Sequence, residues 1–251
     1  MDSVLKEIKL MARKIVNDAR TPSFYRDYSE LISKSEHFFM ENPVILRIQE
    51  ELYDTLENNF GHGFGHAKKV AIEAGVLFAV EMKKKGLKKD LNYLFTMAQS
   101  AGLLHDICRK DKDHAVKGAR YAGSYLPSIL SDKADVDSIV YAIENHEAFC
   151  ASKGEPPCIE ALILSNSLYD SDKFRWGPDN FSHMIWAILE DTGITSSQFL
   201  KGYQRGIASL ENIRTTFRSF TGKKYGPEFI DIGMEIGNTL YRQIKMERGF
   251  F

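Results

Sequence analysis

The residues best equipped for chemistry in this sequence are histidines and aspartates. His105-Asp106 ends an apolar run containing Leu91, Leu94, Phe95, Met97, Ala98, Leu103 and Leu104. His66 precedes that pair, and His114, His146 and Asp172 follow it. A helix that dips into a core and then presents imidazole and carboxylate together needs partners for both, because burying either alone is costly. Those partners are either protein groups, which would make the pair a device for orienting helices, or a metal. Imidazole and carboxylate donors suit first-row divalent ions. Four such groups hold one ion, and six hold two, with Asp106 placed as the bridge. A pair of ions about 3.5–4 Å apart generates a nucleophile from water and clamps a phosphoryl group.

The elements that must position these residues read as helices throughout. Residues from Val4 to about Ala19 carry Leu5, Ile8, Met11, Ile15 and Val16 on one face, the spacing of an amphipathic helix. Further helical patterns cover about Tyr25–Met40 and about Val44–Asn58, the latter opening at Pro43, a residue suited to a first turn. Gly61, Gly63 and Gly65 then predict a loop. His66 opens the next helix, which runs to a lysine-rich end before Gly86, cations and glycine both favouring a C-terminus. The central helix is expected over about Leu91–Ile107, and the next from an Asp113 N-cap to Leu126, before Pro127. Asp135 or Asp137 begins a helix ending near His146, and another runs from Ile159 to about Asp172. The last third is helical with expected breaks at Gly177-Pro178, Gly193, Gly222 and Gly226-Pro227. No useful strand alternation, repeat or low-complexity linker interrupts this pattern, which predicts an all-α, compact multi-helix bundle forming a single domain over residues 1–251. Metal ligands would converge in it from several helix ends.

Bulk properties narrow the function classes. With 251 residues and 43% hydrophobic content, the chain can bury a sizeable core. A net charge of -1 gives no basis for a nucleic-acid polymer as partner. Cys108, Cys150 and Cys158 are odd in number without CxxC spacing, which fits a reducing cytoplasm better than a disulfide framework. The N-terminus lacks the continuous apolar stretch of a secretory signal. No apolar run approaches the roughly 18 residues that span a bilayer. The expectation is a cytoplasmic protein with no membrane partner.

Taken in order, these motifs resemble the HD-domain superfamily of metal-dependent phosphohydrolases, with its H…HD…D signature. Gly-His-Gly-Phe-Gly-His66-Ala-Lys-Lys-Val is similar to the family's first-histidine segment. Leu103-Leu104-His105-Asp106-Ile107 resembles its central motif, and Tyr169-Asp170-Ser171-Asp172-Lys173-Phe174 its closing motif, in which the second Asp ligates. The similarity covers about residues 60–176, leaving helices 1–59 and 177–251 as flanks. It implies that His66, His105, Asp106 and Asp172 bind metal. Asp113-His114-Ala-Val-Lys-Gly-Ala and Glu144-Asn145-His146-Glu147 are similar to segments that supply two further histidine ligands in dinuclear members. Asn145-His146, without a following Gly-Tyr-Pro, departs from the cyclic-di-GMP phosphodiesterase branch.

The implied activity is hydrolysis of a nucleotide-type phosphomonoester or phosphodiester by metal-activated water, with a small phosphorylated molecule as substrate. The cofactor would be one or two divalent ions of Fe, Mn, Mg, Ni, Co or Zn. The resemblance implies catalytic or phosphate-holding roles for Arg109 and Lys173, with Arg175 as a further substrate-binding candidate. His62 is read either as a pocket-lining residue or as an exposed loop histidine, and Asp170 as a structural hydrogen-bonding group. The resemblance also admits a mixed-valence di-iron oxygenase and a non-catalytic nucleotide sensor. The stretches Phe174–Phe181, Arg214–Arg218 and Thr221–Gly226 could border the pocket or belong to core and surface. The N-terminal helices either cover the pocket or form a homodimer surface.

Overall fold

The computed structural model describes residues 1–57 and 63–248. His62 and residues 58–61 therefore lie outside the described residues, and so does the role expected of His62. Among the described residues the protein is all-helical, with no strand. α1 (Ser3–Asp18) starts where Asp2 accepts a hydrogen bond from the Leu5 amide at 2.9 Å, and it buries Leu5, Ile8 and Ala12. The helix expected from about Tyr25 is two helices, α2 (Ser23–Asp27) and α3 (Ser29–Glu41), divided at Tyr28. α4 (Pro43–Glu57) follows Asn42, whose side chain accepts from the Val44 and Ile45 amides.

Among the described residues, α5 (Phe64–Lys84) and α6 (Leu91–Leu104) form the most extensive helix pair, and α9 (Ile159–Phe174) packs on both, chiefly on α5. A Cβ at Gly102 on α6 would collide with the backbone of Ala71 on α5. The absence of a side chain there lets the two helices cross closely just before His105. α7 (His114–Tyr125) continues as a 3₁₀ turn over Leu126–Ser128, and α8 (Lys133–Glu144) is capped by Asp132, earlier than Asp135 or Asp137. A π-helical turn (Asn180–Met184), α10 (Ile185–Thr192), α11 (Ser196–Arg214) and α12 (Phe220–Arg248) complete the fold.

Two apolar clusters hold the helices. One gathers α4 to α9 around Val70, Phe78, Phe95 and Leu104; the other gathers α1 and α10 to α12 around Phe24, Phe174, Trp186 and Phe229. α5 contributes to both, Phe78 facing one and Leu77 the other. The breaks expected at Gly177-Pro178 and Gly193 are present, whereas Gly222 and Gly226-Pro227 lie inside α12. Gly222 is a packing residue: a Cβ there would collide with the Asp170 carboxylate. The Phe174–Phe181 stretch both packs in the core and borders a cavity: Phe174 and Phe181 are core, Phe174 stacking on Phe229 at 4.1 Å, while Arg175 and Asp179 line a cavity together with His66. No helix among the described residues is long and apolar enough to cross a membrane.

Candidate metal centre

Each expected ligand sits at or beside a helix end, so five chain segments converge on one buried point. His66 occupies the first turn of α5, whose backbone starts at Gly63. His105 and Asp106 follow the last residue of α6, and His114 opens α7. His146 lies just past α8, and Asp172 is in the last turn of α9. Asp113 does not cap α7 as expected: its backbone is left-handed at φ 58° and its side chain makes no cap. Aspartate tolerates that conformation, and the reversal carries the chain from Asp106 back to His114.

The donors fall into two groups. His66, His105 and Asp172 form one, and His105, Asp106 and His146 the other; in each, one ligand atom per residue lies within 4.8 Å of the rest. His66 Nε2 is 3.2 Å from His105 Nε2 and 3.4 Å from Asp172 Oδ1. Asp106 turns Oδ2 toward His105 Nε2 at 3.4 Å, and Oδ1 toward His146 Nε2 at 3.3 Å and His114 Nε2 at 3.4 Å. The carboxylate therefore stands between the two histidine sets. His105 and Asp106 are at most 2% exposed.

Tautomers follow from the backbone. His105 Nδ1 is 2.8 Å from Gly102 O, and His146 Nδ1 is 2.6 Å from Ile143 O. A carbonyl only accepts, so both Nδ1 atoms carry hydrogen, and each ring presents its Nε2 to the cluster. His146 Nε2 is buried without a hydrogen bond of good geometry. This donor set fits a divalent cation.

The electrostatics also call for positive charge. Burial opposes ionisation of Asp106, yet His105 and His146 overcome it and hold the carboxyl well below its usual range. Burial likewise opposes ionisation of Asp172, but Lys173 and the imidazoles of His66 and His105 hold it well below. His105 moves the other way: burial disfavours its charge, but Asp106 and Asp172 raise its pKa above the ordinary value. A proton on His105 thus does part of what a metal ion would do. His114 is pushed down to about 4 by burial, with His146 and Arg109 adding to the effect against Asp106.

The cationic residues divide. Arg109 reaches the cluster, with Nη1 3.0 Å from His114 Nε2 and 3.5 Å from Asp106 Oδ1. Lys173 is buried and donates to Asp172 Oδ2 at 2.5 Å, its ammonium 5.1 Å from the centre of the Tyr169 ring. Arg175 lines a cavity together with His66 and is also held by protein groups. Its guanidinium is buried and engaged by Glu73, Asp179 and the Tyr25 hydroxyl. Asp170 is structural as expected, accepting from the Arg218 and Ser219 amides at 2.8 Å each. Neither basic C-terminal stretch borders the cluster as a free loop: Arg218 donates to the Asn145 and Glu147 carbonyls, and Thr221 to Glu81. Glu147 was not singled out in the sequence, yet its carboxylate lies 3.6 Å from His114 Nδ1. Its adjacency to His146 is the one signal that pointed to it.

A cavity of about 550 Å³ opens outside the cluster, with His66 on its wall. Comparison of the chain with protein-family models, with curated proteins and with solved structures found no match.

Proposed function

We propose that this chain is a metal-dependent phosphohydrolase of the HD-domain type, acting on a small phosphomonoester or phosphodiester of nucleotide type. The observation that carries the reading is the pair of donor groups sharing His105, with one Asp106 oxygen turned to each histidine set. The order His66, His105-Asp106, Asp172 along the chain agrees with the family signature. His66, His105 and Asp172 would hold one ion, and Asp106 with His146 a second, with His114 joining if Arg109 releases it. When bound, such ions lower the pKa of water and neutralise phosphate oxygens.

The chain's own residues prepare that chemistry. Gly102 O and Ile143 O keep His105 and His146 in the tautomer that presents Nε2. Lys173 holds Asp172 ionised and in place. Arg109 stands at the edge of the cluster, one third exposed, where a guanidinium can grip phosphate oxygens bidentately as charge develops. His105 and Asp106 are buried along with their chain neighbours Leu103, Leu104 and Ile107, and this exclusion of water strengthens each of these interactions.

The test is phosphate release from a panel of phosphoesters by protein stripped with chelator and reloaded with single divalent ions. Metal-dependent release by the wild type is expected, with Asp106→Ala losing both metal binding and turnover and Arg109→Ala losing about 10²-fold in kcat/KM. Full activity in Asp106→Ala contradicts the mechanism. Oxygen consumption with a small polyol and no phosphate release would assign the site to a di-iron oxygenase, and tight nucleotide binding without turnover under any metal to a sensor.

A further inference from the structure

The wall of the cavity outside His66 concentrates cations from three elements. Lys9 and Arg13 come from α1, Lys69 from α5 and Arg175 from the end of α9, with the uncharged imidazole of His183 on the π-helical turn between them. Lys9 and Arg13 are four residues apart and share a face of their helix; Lys69 follows His66 by three, one turn along the same face. Burial, then Lys69, Arg13 and Lys9, push the His183 imidazole below its ordinary value against the pull of Asp179, so these cations reach a common volume. With Lys110 and Arg175, which line the same cavity, five cationic side chains face three carboxylates, Asp179, Glu190 and Asp191. Lys9 pairs with Glu190 at 3.6 Å, and Lys69 with Asp179 at 2.5 Å, and Asp191 also lines the cavity. Arg13 is exposed and has no ion pair among the described residues.

The Lys69–Asp179 pair is built so that it can open. Lys69 is the exposed partner, its side chain 49% accessible. Asp179 uses its other oxygen to bind the buried Arg175. When Lys69 leaves, Asp179 keeps a compensating cation and no buried charge is orphaned, which removes the usual penalty for breaking a pair. Lys69 is thus a cation beside the metal ligands whose present partner does not depend on it.

We propose that this wall is an anion-binding subsite for a second negatively charged group of the substrate, with Lys69 exchanging Asp179 for that group and Arg13 adding a second cation. The substrate class is then a small phosphoester carrying a further phosphate or carboxylate. Which end of it reacts rests on the hydrolase reading above; the subsite itself does not.

The experiment separates the two. Chelator-treated wild type, Lys69→Met, Arg13→Ala and the control Lys68→Met are titrated with inorganic pyrophosphate by calorimetry, folding being checked by thermal melting. Lys68 leaves the same helix toward Met40 and Phe39, away from the cavity. The wild type and Lys68→Met are expected to bind pyrophosphate equally, and Lys69→Met and Arg13→Ala each about tenfold more weakly, the loss of one charge-assisted contact. No binding by the wild type, or equal binding by all four proteins, overturns the subsite and leaves the hydrolase reading intact. Binding that depends on Lys69 and Arg13 in a protein that releases no phosphate from any ester keeps the subsite and retires the hydrolase.

Discussion

A single carbonyl, Gly102 O, decides what His105 can do. By accepting from Nδ1 it commits Nε2 to the cluster, where Asp106, Asp172 and His66 also point. With two carboxylates and few cations in the same buried volume, each positive charge there is worth more than a surface pair. Lys173 shows this most simply. Lys173→Met leaves the buried Asp172 without its nearest cation, and the metal-free protein should lose about 3 kcal/mol. Bound metal supplies the missing charge, so the loss should shrink in the metal-loaded protein; an equal loss in both forms, by urea denaturation, contradicts this role. The pH dependence follows from the same charges. Asp106 and Asp172 are lowered from 3.8, so the stability they contribute is present above that value and is lost as pH falls through their folded values. His105 is raised from 6.5, so its contribution is complete below that value and is lost as pH rises through its folded value. The metal-free site should therefore contribute most between pH 3.8 and 6.5. Denaturation midpoints of wild type against Asp106→Asn across pH 3 to 8 check the window, and a difference that grows steadily above pH 7 would contradict it.

The helices place these side chains because their ends, rather than their faces, point inward. This is why much of the centre was legible in the sequence: glycine before His66, the end of the apolar run at His105 and the start of a new pattern at His114 each mark a terminus. α12 was less legible. Gly222 and Gly226-Pro227 read as breaks because glycine and proline weaken an isolated helix. In the folded chain two carboxylates from the site-bearing helices overrule them. Glu81 on α5 accepts from the Phe220 and Thr221 amides, and Asp170 on α9 accepts from those of Arg218 and Ser219. Both lie where a helix N-terminus favours negative charge. Gly222 is needed so that Asp170 can come this close, and Gly222→Ala should destabilise the protein by about 1–3 kcal/mol. Thermal unfolding checks it, and an unchanged or raised midpoint, as helix propensity alone would give, contradicts the packing role.

At the scale of the whole molecule, α5 ties the two apolar clusters together while carrying His66, Lys69, Glu73 and Glu81 along its length. Partners of this kind could not be read from sequence. The protein partners of Arg175 left no sign in the sequence because Glu73 is 102 residues away and Tyr25 is 150 residues away. Lys173 was legible as a cation beside the last ligand, but its direction toward Asp172 depends on a helix end packed against α5. The clustering of the histidines and aspartates was legible because chemistry restricts their type and chain order, whereas ion pairs closed by folding leave no such pattern. The central claim, that the cluster around His105 and Asp106 is a metal centre, is tested most directly by elemental analysis of protein purified without chelator or added metal. One or two divalent ions per chain in the wild type, and none in a folded Asp106→Ala, is the predicted result. A folded wild type that carries no metal and takes up no divalent ion on titration would contradict it.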